Sequence, residues 1–115
     1  MSQLPPMQPI ADDLCVTGQL GPEAMAWAAQ EGFRSVINNR PDFEGGPDQP
    51  TNQVIEAAAL AAGLAYAYLP VGPAYQSPEE VARFADLLSR LPRPTLAFCR
   101  TGTRSGKLYR AGIGG

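Results

Sequence analysis

The sequence predicts an α/β fold: a single domain with a mainly parallel sheet of four to five strands and helices on both faces. Its active loop lies between the last strand and the C-terminal helix. Three observations predict it. Short strand-like runs alternate with helix-periodic segments four times, the pattern of a parallel sheet with helical crossovers. Glycine, proline and capping residues mark the segment ends. A short, mostly apolar run near the C-terminus, Thr95 to Phe98, has the character of a central parallel strand. With 115 residues the chain supports one domain, 1–115, with a modest core.

The first ten residues, with three prolines, read as an extended lead-in. Leu14 to Thr17 is a short strand ended by Gly18. Gly21-Pro22-Glu23 starts a helix with proline at its first position and an acid beside it. It runs through Trp27 to about Glu31, where Gly32 is the terminating glycine. Arg34 to Asn38 is the second strand. It feeds the longest irregular stretch, residues 39–50, and long loops in compact domains often carry function. Thr51 caps a helix that continues through Val54, Ala58 and Ala61 and stops at Gly63.

Leu64 to Leu69 is a third strand, with Tyr66 and Tyr68 on one face. Ser77-Pro78-Glu79-Glu80 is a capping box with proline in the first turn. Val81, Phe84, Ala85 and Leu88 follow at helical spacing and predict a buried face. Leu91-Pro92 ends that helix, and Thr95 to Phe98 follows as the last strand. A final helix begins near Arg104. Glycines 112, 114 and 115 end it after about two turns, so the C-terminal helix is read as shortened.

Composition narrows the functional classes. Histidine is absent, which removes the commonest general base and the commonest metal ligand. With two cysteines, no metal site and no cofactor are expected. No apolar run is long enough to span a bilayer, and the N-terminus lacks the features of an export signal. The expectation is therefore a cytoplasmic protein that engages neither membrane nor nucleic acid, consistent with a net charge of −2. In a reducing compartment Cys15 and Cys99 are free thiols. Cys15, alternating with Val16, reads as core. The charge is unevenly spread. Residues 1–86 hold all 11 acids and three arginines, whereas residues 87–115 hold six bases and no acid. That asymmetry predicts a local positive field near the C-terminus, suited to drawing in a small anion.

The chemistry centres on Cys99-Arg100-Thr101-Gly102-Thr103-Arg104-Ser105. In open α/β sheets ligands bind beyond the carboxyl ends of the strands, and Cys99 is the first residue past such an end. A strand turning tightly into a helix aims successive backbone N–H groups inward, and the helix N-terminus adds partial positive charge. Gly102 permits close approach or a positive φ. Thr101, Thr103 and Ser105 offer hydroxyls, and Arg104 presents a bidentate fork to an oxyanion. The same field favours the Cys99 thiolate, the nucleophilic form. Arg40, on the long loop, is a second anion contact. Asp42 beside it is a candidate general acid, with pairing to Arg40 or turn capping as the structural alternative.

The Cys99–Ser105 segment resembles the active loops of cysteine-dependent phosphatases, Cys-x5-Arg, and of rhodanese-type sulfurtransferases, whose loop is one residue shorter. Together with Val16-Thr17-Gly18-Gln19, Val36 to Asp42 and Asp48-Gln49-Pro50, it makes nearly the whole chain similar to the beta-lactamase hydrolase-like, phosphatase-like family of small bacterial domains. That resemblance implies a fold like that of dual-specificity phosphatases. Some family members are fused to persulfide dioxygenases or sulfide-oxidising enzymes, which implies a partner of that kind.

Three local departures from the phosphatase pattern favour sulfur over phosphoryl transfer. The spacing is Cys-x4-Arg. Phe98 stands where phosphatases carry histidine. The stretch Leu69 to Tyr75, which should supply the general acid, holds no acid, and an alkoxide leaving group needs a proton. The first expectation is accordingly a sulfurtransferase. Cys99 would take sulfane sulfur from thiosulfate or a persulfide and pass it to a thiol acceptor, with the anionic donor bound by Arg104 and Arg100. The alternative is a phosphatase with a phosphocysteine at Cys99 and Asp42 as acid. A third reading is an anion-binding module without turnover.

Overall fold

The computed structural model describes residues 6–114. Five strands form one sheet: β1 (Met7–Ala11), β2 (Leu14–Thr17), β3 (Ser35–Asn38), β4 (Ala65–Tyr68) and β5 (Thr95–Phe98). Four helices intervene or follow: α1 (Ala24–Gln30), α2 (Asn52–Ala61), α3 (Pro78–Arg90) and α4 (Thr103–Gly114). The strand order is β1-β2-β5-β3-β4. All pairings are parallel except that of β1 with β2. This is the α/β architecture expected from the alternating pattern.

The last strand in the chain is central in space. All four residues of β5 are buried between β2 and β3. Side chains alternate across its faces, as the pleat requires. Leu96 and Phe98 join Val36 in a core packed under α1 and α2, with Met25, Ala28, Ile55 and Ala59. Ala97 joins Ile37 and Val16 in a second core under α3 and α4, with Phe84 and Leu108. Where β5 meets β3, the buried Ser35 and Thr95 hydroxyls satisfy each other at 2.8 Å.

The structure corrects four local expectations. The proline-rich lead-in, where described, is an edge strand: Met7 pairs with Thr17 and Pro9 with Cys15 before the register shifts at a bulge. An edge strand bonds on one side only, so it accommodates proline; residues 1–5 lie outside the described part. The first helix begins at Ala24 rather than Pro22, and Glu23 makes no side-chain cap. The periodic face of α3 is fully buried only at Phe84, and Ala85 is exposed. There the small residues Ala111 and Gly112 of α4 leave a groove of about 500 Å³ against Val81 and Ala85. Finally, α4 continues through Gly106 and Gly112 to Gly114, longer than the two turns its glycines suggested. Packing of α4 on α3 and on the sheet, through the fully buried Leu108, outweighs a propensity cost of about 1 kcal/mol per glycine.

The other caps are as read. Gly32 and Gly63 take φ of +99° and +84° at helix ends, and Thr51 accepts from the Val54 N–H. Tyr66 and Tyr68 share a face of β4 and pin the long loop. The Tyr66 hydroxyl accepts from Asn38 and donates to Asn52 at 2.7 Å, while the Tyr68 hydroxyl receives the Asp42 N–H at 2.9 Å. Cys15 is half-buried against the α1–α2 core.

The capping box of α3 is complete. Ser77 Oγ accepts from the Glu80 N–H at 3.1 Å, and Glu80 accepts from the Ser77 N–H at 2.8 Å. Ser77→Ala should lower unfolding free energy by about 1 kcal/mol in urea titrations, with secondary structure unchanged by circular dichroism.

Candidate active site

The loop between β5 and α4 folds back on Cys99. The Cys99 N–H bonds to the Thr17 carbonyl at 3.3 Å, continuing the β2–β5 ladder by one step. The chain then turns, and the Gly102 N–H reaches the Cys99 Sγ at 3.0 Å. Gly102 has φ +93°, and a β-carbon there would lie 3.3 to 3.4 Å from the Thr17 backbone. Positive φ and close approach both require glycine at this point. Cys99 is fully buried. Burial alone pushes its thiol up. The backbone N–H groups of Ser105, Thr101, Arg104 and Gly102 oppose that, and the net effect lowers the thiol below its ordinary value. Backbone donors at the start of a helix thus favour the anionic form of this sulfur.

Asn39, fully buried and directly after β3, fixes the loop from below. Its N–H donates to the Phe98 carbonyl at 2.8 Å, its side-chain amide donates to the Leu69 carbonyl at 2.9 Å, and its carbonyl accepts the Val71 N–H. Its Oδ1 accepts the Ser105 hydroxyl at 2.8 Å. One residue, through backbone and side chain together, thus ties the ends of three strands to the first turn of α4. The Ser105 hydroxyl expected to contact an anion is spent on this bond, and Ser105 serves the sulfur through its backbone. Thr101 and Thr103 are exposed and bond each other at 3.1 Å.

Arg104 is 9% exposed and its guanidinium is held on one edge. NH1 donates to Glu44 Oε2 at 2.9 Å and to the Val71 carbonyl at 3.1 Å, and NH2 donates to Glu44 Oε1 at 2.8 Å. Among the described residues no acceptor takes its Nε–H, so the Nε and NH2 side of the fork is open. Arg40 approaches the same carboxylate through Nε at 3.0 Å and bonds Gln19 through NH1 at 3.1 Å. Bonding to Arg104 is the chief cause holding the Glu44 carboxyl below its usual range, against burial and aided by Arg40. A cavity of about 460 Å³ is lined by Arg40, Glu44, Gly45, Pro73, Arg100 and Arg104.

Of the residues singled out in the sequence, Arg40, Arg100 and Arg104 line this cavity, from the long loop and the last loop, while Cys99 and Gly102 sit in that same last loop, joined by the Gly102 N–H bond to the sulfur. Asp42 does not line this cavity. Its Oδ1 accepts the Asn52 N–H at 2.7 Å and caps α2, the structural alternative. Glu44 and Asn39 were not singled out. The signal for Glu44 was its place four residues after Arg40 in a loop already marked as functional. Asn39 lay within the Val36 to Asp42 run that carries the family resemblance, next to a strand end, and its residue type gave no further signal. Among the described residues no cluster suited to a metal ion occurs, and no helix is long and apolar enough to cross a membrane.

The model of the phosphatase-like domain of beta-lactamase hydrolase-like proteins matches residues 7–115. The chain belongs to that family. It is 36% identical over 100 residues to the beta-lactamase hydrolase-like protein of Xylella fastidiosa, covering 87% of this chain and 23% of that one. With the protein of the same name from Agrobacterium fabrum, identity is 34% over 103 residues, covering 90% of this chain and 24% of the relative. The chain therefore spans about a quarter of these relatives' length. Among solved structures, a candidate phosphatase from Neisseria meningitidis superposes with a TM-score of 0.81 at 31% identity, over 88% of this chain and 71% of that one. A candidate phosphatase from Shewanella putrefaciens gives 0.79 at 24% identity, over 96% of this chain and 74% of that one, a likeness of fold. For this member of the phosphatase-like family, these matches support the phosphatase alternative over the sulfurtransferase reading placed first from loop spacing.

Two outcomes are expected. Alkylation of Cys99 by iodoacetamide, followed by peptide mass spectrometry, should accelerate with an inflection below 9.0, whereas Cys15, raised by desolvation, should inflect above it. Equal inflections for both thiols would contradict the cup geometry. Glu44, lowered in the folded state from 4.5, should contribute stability fully above that value and lose it as pH falls through its folded value. Glu44→Gln should therefore lower urea stability at neutral pH and flatten the acid limb of the stability profile.

Proposed function

We propose that this domain is a cysteine-dependent phosphatase, a hydrolase that works through a phosphocysteine at Cys99. The observation that carries the reading is the Cys99 sulfur held by backbone N–H groups of its own loop, which also carries the buried Arg104 with one side of its fork open. The thiolate attacks phosphorus while the leaving oxygen departs with the bonding electron pair. The loop N–H groups, released from sulfur as its charge disperses, then face the equatorial phosphoryl oxygens, where charge accumulates in the transition state. The open Nε and NH2 donors of Arg104 suit two of those oxygens. Water then displaces the thiolate from phosphorus and yields inorganic phosphate.

Family membership and the phosphatase-like neighbours support this reading. The shorter Cys-x4-Arg spacing, Phe98 before the cysteine and the lack of an acid in Leu69 to Tyr75 are what support sulfur transfer, with thiosulfate or a persulfide as donor and a thiol as acceptor, and a sulfide-oxidising or persulfide dioxygenase partner alongside.

Purified protein should release phosphate from an aryl phosphate and form no thiocyanate from thiosulfate and cyanide, and Cys99→Ser should abolish the phosphate release. Arg104→Lys should cut kcat/KM by roughly two to three orders of magnitude, since a lysine cannot supply the paired donors. Cys99-dependent thiocyanate without phosphate release would overturn the proposal in favour of sulfur transfer. Anion binding with neither reaction would favour a non-catalytic module.

A further inference from the structure

The phosphatase reading leaves open what protonates the leaving group, and the carboxylates near the site bear on it. Glu44 is the carboxylate lining the cavity. Both its oxygens are engaged by Arg104, and Oε1 also accepts from Arg40, at 2.8 to 3.0 Å. Oε1 has both lone pairs engaged, and a proton on Oε2 would discharge the partner of two guanidiniums. Such a carboxylate is held ionised as a counter-charge and is a poor proton donor. Asp42 faces α2, where its Oδ1 holds the Asn52 N–H. The chain has no histidine. The Ser105 hydroxyl proton is committed to Asn39.

What the cavity offers instead is positive charge. Arg40, Arg100 and Arg104 line it against the single carboxylate of Glu44. Arg104 has its own role at the phosphoryl group. Arg100 lies at the exposed rim, and among the described residues its guanidinium has no ion-pair partner. Cations placed around a departing group stabilise an anion and do nothing for a neutral alcohol.

We infer that this site acts on phosphoryl donors whose leaving group departs as a stable anion, such as a carboxylate, a phosphate or an acidic phenol, and discriminates against simple alkyl phosphate esters. The inference rests on the phosphatase reading and specifies its substrate class. In the first step the thiolate–phosphorus bond forms, the phosphorus–oxygen bond breaks, and the electron pair leaves on oxygen with no proton transferred. Arg100 and Arg40 balance the charge of the departing anion. In the second step water attacks the phosphocysteine, and both its protons end on the released phosphate as thiolate is regenerated.

The test is the dependence of kcat/KM, which reports formation of the phosphocysteine, on leaving-group acidity. Dinitrophenyl, nitrophenyl and phenyl phosphates form the series, with acetyl phosphate as a carboxylate donor and glycerol phosphate as an alkyl ester. The expected result is a fall approaching about tenfold per unit of leaving-group pKa, the behaviour of a group that departs unprotonated. Acetyl phosphate should be turned over, and glycerol phosphate should be inert. Asp42→Asn and Glu44→Gln should each keep that steep slope, whatever their overall rates. Arg100→Ala should reduce kcat/KM several-fold for acetyl phosphate. A shallow slope in the unaltered protein would overturn the inference while leaving the phosphatase reading intact, and a shallow slope made steep by Asp42→Asn or Glu44→Gln would identify the acid. Failure to hydrolyse even dinitrophenyl phosphate in a Cys99-dependent way would overturn the phosphatase reading and this inference with it.

Discussion

A cysteine sulfur buried at the end of a central strand is the constraint around which this molecule is organised. Burial by itself opposes ionisation, so the chain must bring donors to the sulfur. It does so by doubling back after β5, which puts the Gly102 N–H 3.0 Å from the Cys99 Sγ and turns the following amides toward it. That turn demands a positive φ at Gly102 and a close pass over the Thr17 backbone. It therefore depends on β2 lying beside β5, and the Cys99 N–H bond to the Thr17 carbonyl holds them in step. Asn39 supplies the remaining restraint by joining β3, β5 and the loop after β4 to Ser105.

Charge is arranged in space differently from its arrangement along the chain. The acid-poor C-terminal segment suggested a field concentrated there. In the folded protein, Arg90 pairs with Asp86 and Arg93 with Asp13 on the surface, where such pairs contribute little. Arg100 and Arg104 remain at the cavity, joined by Arg40 from the acid-rich part of the chain. Glu44 then tempers the cluster. It keeps two guanidiniums close together, fixes one edge of Arg104, and leaves the other edge unbonded.

Legibility in the sequence followed the range of the interactions. Helix ends were readable because caps are local: Thr51, the Ser77–Glu80 box and the glycines at 32 and 63 act within a few residues. The pairing of Cys99 with Arg104 on one loop was readable for the same reason, since that loop is continuous. The edge strand β1 was missed because its prolines spoil the local signal, and its pairing with β2 restores it. The persistence of α4 through two internal glycines was missed because packing on α3 and the sheet, rather than propensity, sustains it. Asp42 and Glu44, two residues apart on one loop, could not be told apart by type. Tertiary placement sends one to the α2 N-terminus and the other to Arg104.

The sequence by itself determined the alternating α/β pattern, the position of Cys99 just past the last strand, and the tight loop that carries Gly102 and Arg104 after it, because each is written in contiguous residues. Only the tertiary structure decided that β5 is central, that Asn39 is the bracket beneath the loop, and that Glu44 is the carboxylate shared by two arginines. Those features join residues tens of positions apart, and their partners are chosen by which strands pair and which loops meet at the carboxyl edge of the sheet. A hydrogen-bonding side chain carries no mark of its distant partner until burial leaves it no water to bond instead.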